Sequence, residues 1–143
     1  NATGMEDGRG GAIICENLVN IINSTFNYNT GQGGGAIYTH FGNITNSSFN
    51  YNNATYGGAI LAINICYMNG SSFTYNSATE IGGAIWSEVS CVLNNSTFIN
   101  NKASTSGAVG SDEDCNVTSC IFQNNNGTPT PASLSTSSSK STS

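Results

Sequence analysis

The chain has 143 residues, enough for one domain with a continuous core and too few for two comfortable ones. Only 8% of residues are charged, and a net charge of −5 with three basic residues, Arg9, Lys102 and Lys140, gives no electrostatic footprint for nucleic acid. No run of about 18 apolar residues occurs, so no membrane-spanning helix is expected.

The first landmark is Gly-Gly-Ala-Ile at residues 10–13, which returns at 34–37, 57–60 and 82–85 and, degenerate, at 106–109. Its alanines, Ala12, Ala36, Ala59, Ala84 and Ala108, are spaced 24, 23, 25 and 24 residues apart. Each is followed after 13 or 14 residues by Phe26, Phe49, Phe73, Phe98 or Phe122, and each Phe after three more by Asn29, Asn52, Asn76, Asn101 or Asn125. Two landmarks holding phase over five copies define a repeat protein.

Within a unit the apolar residues do not recur at helical spacing. Relative to each Phe, the column five before is Ile21, Ile44, Met68, Leu93 and Val117, and the column two before is Ser24, Ser47, Ser71, Ser96 and Cys120. These read as inward. The columns one and three before are mostly polar, as period-2 alternation requires of an outward face. The isoleucine ladder Ile13, Ile37, Ile60, Ile85 and Val109 points inward again, after glycines that allow a tight turn or a close approach. Each unit therefore gives two or three short strands separated by corners. The units stack in parallel register about 4.8 Å apart, like residue on like. The expected fold is all-β: a right-handed parallel β-helix (β-solenoid) of about five coils of about 24 residues, its hand inferred from the general preference of parallel crossovers.

The alternation of Gly-Gly-Ala-Ile with Phe-x-x-Asn resembles the repeats of the polymorphic outer-membrane protein family of autotransporter adhesins, and of adhesin-like β-helix proteins on archaeal surfaces. The resemblance covers residues 10–126. It implies a β-helix passenger with adhesive or structural duties and brings no catalytic residues; no β-barrel anchor is expected within these 143 residues, which are few for the family.

Cys66, Cys91 and Cys115 share one inward column, seven before their Phe. Stacked Cα atoms about 4.8 Å apart suit a disulfide. One bridge in this column, Cys66–Cys91 or Cys91–Cys115, is feasible, and Cys120 could take Cys115, which leaves Cys15 free or pairing between molecules. Small buried thiols acting as apolar filler are the alternative. The domain boundary is placed after residue 126, and residues 127–143, with 11 Ser or Thr and two Pro among 17, read as an extended or O-glycosylated tail.

Ten Asn-x-Ser/Thr sequons, against roughly five expected by chance, point to the secretory route. Of these, Asn23, Asn43, Asn46, Asn53, Asn95, Asn116 and Asn126 are the expected N-glycosylation sites, on outward columns or corners. The column after the Ile ladder, Ile14, Tyr38, Leu61 and Trp86, is expected to form an exposed apolar contact stripe.

Catalytic chemistry is not expected. The acids Glu6, Asp7, Glu16, Glu80, Glu88, Asp112, Glu113 and Asp114 scatter, and no column collects two on neighbouring strands, as glycan-cleaving β-helices would need. The single His40 has no metal-spaced partner, and no metal or cofactor is expected. The functional expectation is a secreted or cell-surface structural protein, N-glycosylated and with O-glycans on the tail, that polymerises with itself head to tail into a filament. A segment of a longer glycan-binding β-helix adhesin is the alternative. Ice binding through the column Thr25, Ser48, Ser72 and Thr97 is a distant third.

Overall fold

A computed structural model describes residues 8–128. All of its regular elements are strands, and every strand pair is parallel. Coil 1 contains β1 (Ile13–Ile22) and β2 (Thr25–Asn27); coil 2 contains β3 (Ile37–Thr45), β4 (Ser48–Asn50) and β5 (Asn53–Tyr56). Coil 3 contains β6 (Ile60–Asn69), β7 (Ser72–Thr74) and β8 (Ser77–Ile81). Coil 4 contains β9 (Ile85–Ser87), β10 (Ser90–Asn94), β11 (Thr97–Ile99) and β12 (Lys102–Thr105). Coil 5 contains β13 (Val109–Ser111), β14 (Cys115–Thr118), β15 (Ile121–Gln123) and β16 (Asn126–Thr128). The fold is a parallel β-solenoid of about five turns.

Three sheets run along the rod. The first follows β1-β3-β6-β10-β14, with β9 and β13 continuing its opening segment; the second is β2-β4-β7-β11-β15; the third is β5-β8-β12-β16. Register places Phe26 on Phe49, Phe49 on Phe73, Phe73 on Phe98 and Phe98 on Phe122. Their rings stack at centroid distances of 4.8 to 4.9 Å. Ile37, Ile60, Ile85 and Val109 form a second fully buried ladder, and Ile44, Met68 and Leu93 a third. These ladders are the core.

The corners explain the composition. Each coil turns at single residues in the left-handed region, where a side chain ordinarily clashes with its own carbonyl and Gly or Asn is favoured. One corner is Asn23, Asn46, Gly70, Asn95 and Ser119, with φ between 47° and 65°. Another is Gly34, Gly57, Gly82 and Ser106, with φ between 55° and 75°. At this corner the second glycine has a different reason: a Cβ on Gly35, Gly58 or Gly83 would lie 1.9 to 2.1 Å from a carbonyl oxygen of the next coil. Gly-Gly therefore records one twisted residue followed by one backbone contact.

The asparagine three after each Phe is buried because its amide replaces the sheet's hydrogen bonds at a bend. Asn52, for example, accepts the backbone N–H and Nδ2–H of Asn29 on Oδ1, while its own Nδ2 donates to the Phe26 carbonyl and to Asn76 Oδ1. The pattern repeats at Asn76, Asn101 and Asn125. Ser47, Ser71 and Ser96 make a parallel hydroxyl ladder, each accepting a backbone N–H from the coil before. The strand Asn126–Thr128 straddles the expected boundary after residue 126, and residues 129–143 of the expected tail lie outside the described residues.

Candidate functional site

The third corner carries residues that its geometry does not favour. Two positions after each Phe stand Tyr28, Tyr51, Tyr75, Asn100 and Asn124, with φ of 57°, 56°, 54°, 56° and 53°. Coils 4 and 5 have the residue that tolerates this backbone, whereas coils 1 to 3 have tyrosine. A left-handed conformation costs a bulky L-residue about 1 kcal/mol or more, so three tyrosines cost on the order of 3 kcal/mol. Their rings stack at 5.0 Å with interplanar angles of 5° and 1°. Two stacks of about 1 kcal/mol each offset only part of that cost. The rings stay 46% to 58% exposed, and the half of each that is buried offsets the remainder. Strain held at exposed residues marks a functional candidate.

The second sheet borders this ladder and is uncharged on every strand. Asn50 Nδ2 donates to Asn27 Oδ1 at 2.8 Å, Thr74 Oγ1 donates to Asn50 Oδ1, and Ser72 Oγ donates to Ser48 Oγ at 3.3 Å. Amides and hydroxyls thus form rows beside the tyrosines. On the third sheet Glu80 hydrogen-bonds Tyr56 and raises that phenol's pKa, first through the hydrogen bond and then through its charge.

The seven expected glycosylation residues, Asn23, Asn43, Asn46, Asn53, Asn95, Asn116 and Asn126, are all exposed. Asn23, Asn46 and Asn95 occupy left-handed corners, not strand faces. Asn43 Nδ2 donates one hydrogen to Asn20 Oδ1 at 3.0 Å, which leaves its second N–H outside that bond. A shallow depression of about 430 Å³ lies beside Tyr67, bounded among others by Leu18, Asn43, Asn69 and Asn94.

The expected contact stripe requires correction. Ile14 is 44% exposed, but Tyr38 and Leu61 are buried and Trp86 is half-buried. The cause is the absence of side chains opposite them: Leu61 and Tyr38 lie against Gly33, and the Trp86 ring lies against Gly110. Arg9 covers Tyr38, its guanidinium carbon 5.3 Å from the ring centroid. Alternation places this column outside the core, and the corner then folds over it.

Among the cysteine alternatives, Cys91 bridges Cys115 with a Cα–Cα distance of 4.5 Å, and Cys15, Cys66 and Cys120 are free. Cys66 lies in register beside Cys91, and burial pushes its thiol pKa up to about 12. His40 is half-buried with its ring against Tyr38, and Asp112, Glu113 and Asp114 are exposed in the bend before β14. Among the described residues no group of three His, Cys, Asp or Glu stands together to hold a metal ion. The tyrosine ladder is absent from the sequence expectations, although Phe-x-Tyr-Asn at residues 26–29, 49–52 and 73–76 displays it.

The family model for the Chlamydia polymorphic membrane protein repeat matches residues 23–40 and 70–88. Each match runs from the corner before the Phe, through Phe-x-Tyr-Asn, to the Gly-Gly-Ala-Ile strand. The chain therefore carries repeats of this type, in agreement with the resemblance read from its motifs. No curated protein and no solved structure matches.

Proposed function

We propose that the chain is a surface-displayed, non-catalytic β-solenoid scaffold of an adhesive kind, which holds rows of identical side chains rigidly for recognition. The observation that carries this reading is the tyrosine ladder: three exposed aromatics kept in a strained backbone where the same corner elsewhere has asparagine. The matched repeat, named for a membrane protein, supports display at a surface. Exposure of all seven favoured sequon asparagines supports passage through a secretory route and N-glycosylation. Membrane-impermeant biotinylation of intact source cells tests the reading. Labelled protein is expected at the surface or in the medium, and a purely cytosolic, unlabelled pool overturns it. Intact mass before and after deglycosylation tests the sugars, with an unmodified mass ruling them out.

Head-to-tail polymerisation into a filament is a second reading, favoured by the polarity of the asparagine ladder. Every rung donates to the Oδ1 of the following coil and receives on its Phe carbonyl the Nδ2–H of that coil. The same two columns run from Phe26 and Asn29 in coil 1 to Phe122 and Asn125 in coil 5, so a stack of such coils has one direction. Electron microscopy of natural material decides it: monodisperse particles exclude the filament, and loss of fibres on deleting residues 127–143 assigns the tail a part in it.

A further inference from the structure

We infer that Tyr28, Tyr51 and Tyr75, with the adjoining rows of the second sheet, form a binding site for a neutral, extended β-linked polysaccharide laid along the rod. The inference rests on the scaffold reading above and names the ligand class of its recognition site. Three features select this occupant. First, the rings make a ridge of repeated, half-exposed aromatic surface, spaced 5.0 Å apart. The stacked rings cover one another's faces and turn their edges outward, and an extended β-linked chain advances about one sugar per coil, so its C–H groups and hydroxyls would meet a ring edge at each rung. A polymer with a matching repeat would meet the same contact at each rung. A globular protein partner would have no such periodicity.

Second, the rows beside the ridge offer amide and hydroxyl groups, Asn27, Asn50 and Thr74 in one and Thr25, Ser48 and Ser72 in the other, suited to sugar hydroxyls. Third, β2, β4, β7, β11 and β15 carry no charge, and neither does the tyrosine corner. An anionic polymer would find no cation there, and a cationic one no carboxylate. The match is to a neutral chain. The favoured sequon asparagines also leave these strands clear, standing instead at Asn23, Asn46 and Asn95 on one flank and Asn53 and Asn126 on the other.

The test is titration of the full chain with a neutral β-1,4-glucan hexasaccharide, followed by ligand-observed NMR, beside an anionic polygalacturonate oligomer. The variant Y28N/Y51N/Y75N installs the residue that coils 4 and 5 already have at this corner, and an unchanged far-UV circular dichroism spectrum with a cooperative melt verifies that it keeps the fold. Saturable binding of the hexasaccharide is expected, weakened about tenfold or more in the variant, with weaker binding of the anionic oligomer. No saturable binding, equal binding by the variant, or a preference for the anion overturns the inference. Binding seen only after enzymatic deglycosylation also overturns it, because the ladder would then be a seat for the chain's own sugar at Asn53. Surface labelling is read separately, so a displayed protein that binds no glucan refutes the inference and leaves the scaffold standing.

Discussion

Replacing Asn76 by alanine should be among the most damaging single changes outside the aromatic core. The side chain accepts the Asn52 N–H at 3.0 Å and Nδ2–H at 2.9 Å, and donates to the Phe49 carbonyl at 2.9 Å and to Asn101 Oδ1 at 3.0 Å. Four buried hydrogen bonds are lost, and the Asn52 N–H and the Phe49 carbonyl lose partners that water cannot replace. At about 1 kcal/mol net per bond the loss is about 4 kcal/mol, and orphaned buried groups push it upward. That is a large share of the roughly 5–15 kcal/mol holding a domain of this size, and it corresponds to a fall in melting temperature of about 15 °C. Urea titration and calorimetry of N76A and N100A measure it, the second replacing a partly exposed corner residue at φ 56°. N100A should lose only about 1 kcal/mol. Equal, small losses for the two would show that the amide ladder does not carry the stack.

Other outcomes follow from single features. Ser106 has φ 55° and a buried hydroxyl that is without a hydrogen-bond partner, so S106G should stabilise by about 1–2 kcal/mol and raise the melting temperature. Phe73 is fully buried between two stacked rings; F73A should cost about 3–5 kcal/mol in urea titration, and F26A, in a partly exposed ring, clearly less. Reducing Cys91–Cys115, which closes a loop of 24 residues, should cost about 3 kcal/mol and shift the denaturation midpoint accordingly. The Cys66 thiol has its pKa raised from 9.0 to about 12 by burial, so the unfolded chain releases this proton first. Its contribution is complete below pH 9 and declines as pH rises toward 12, a limb that C66V should flatten in pH-dependent melting; alkylation of native Cys66 should stay slow throughout.

A great deal of this molecule was legible in its sequence because in-register stacking turns a repeat column into a row in space. Period, parallel pairing and the buried Phe, Ile and Ser rows all follow from phase alone, and so does the exposure of Asn43 and Asn116, whereas the burial of the Asn row at its bend does not. Alternation, however, assigns sides only within a strand. At a left-handed corner the count restarts, and the sequence does not mark which residue turns: asparagine, glycine, serine and tyrosine all serve. Hence Tyr28, Tyr51 and Tyr75 became recognisable as a strained, exposed ridge only once the backbone angles were known. Tyr38 and Leu61, outward by alternation, were covered because glycine left space beside them. The cysteine column allowed two equivalent bridges, since stacked neighbours are equidistant by construction. Only the tertiary arrangement chose Cys91–Cys115 and left Cys66 buried as a thiol. Sequence determined the rows, because identical side chains stabilise one another only in register; the folded corners decided which rows meet solvent.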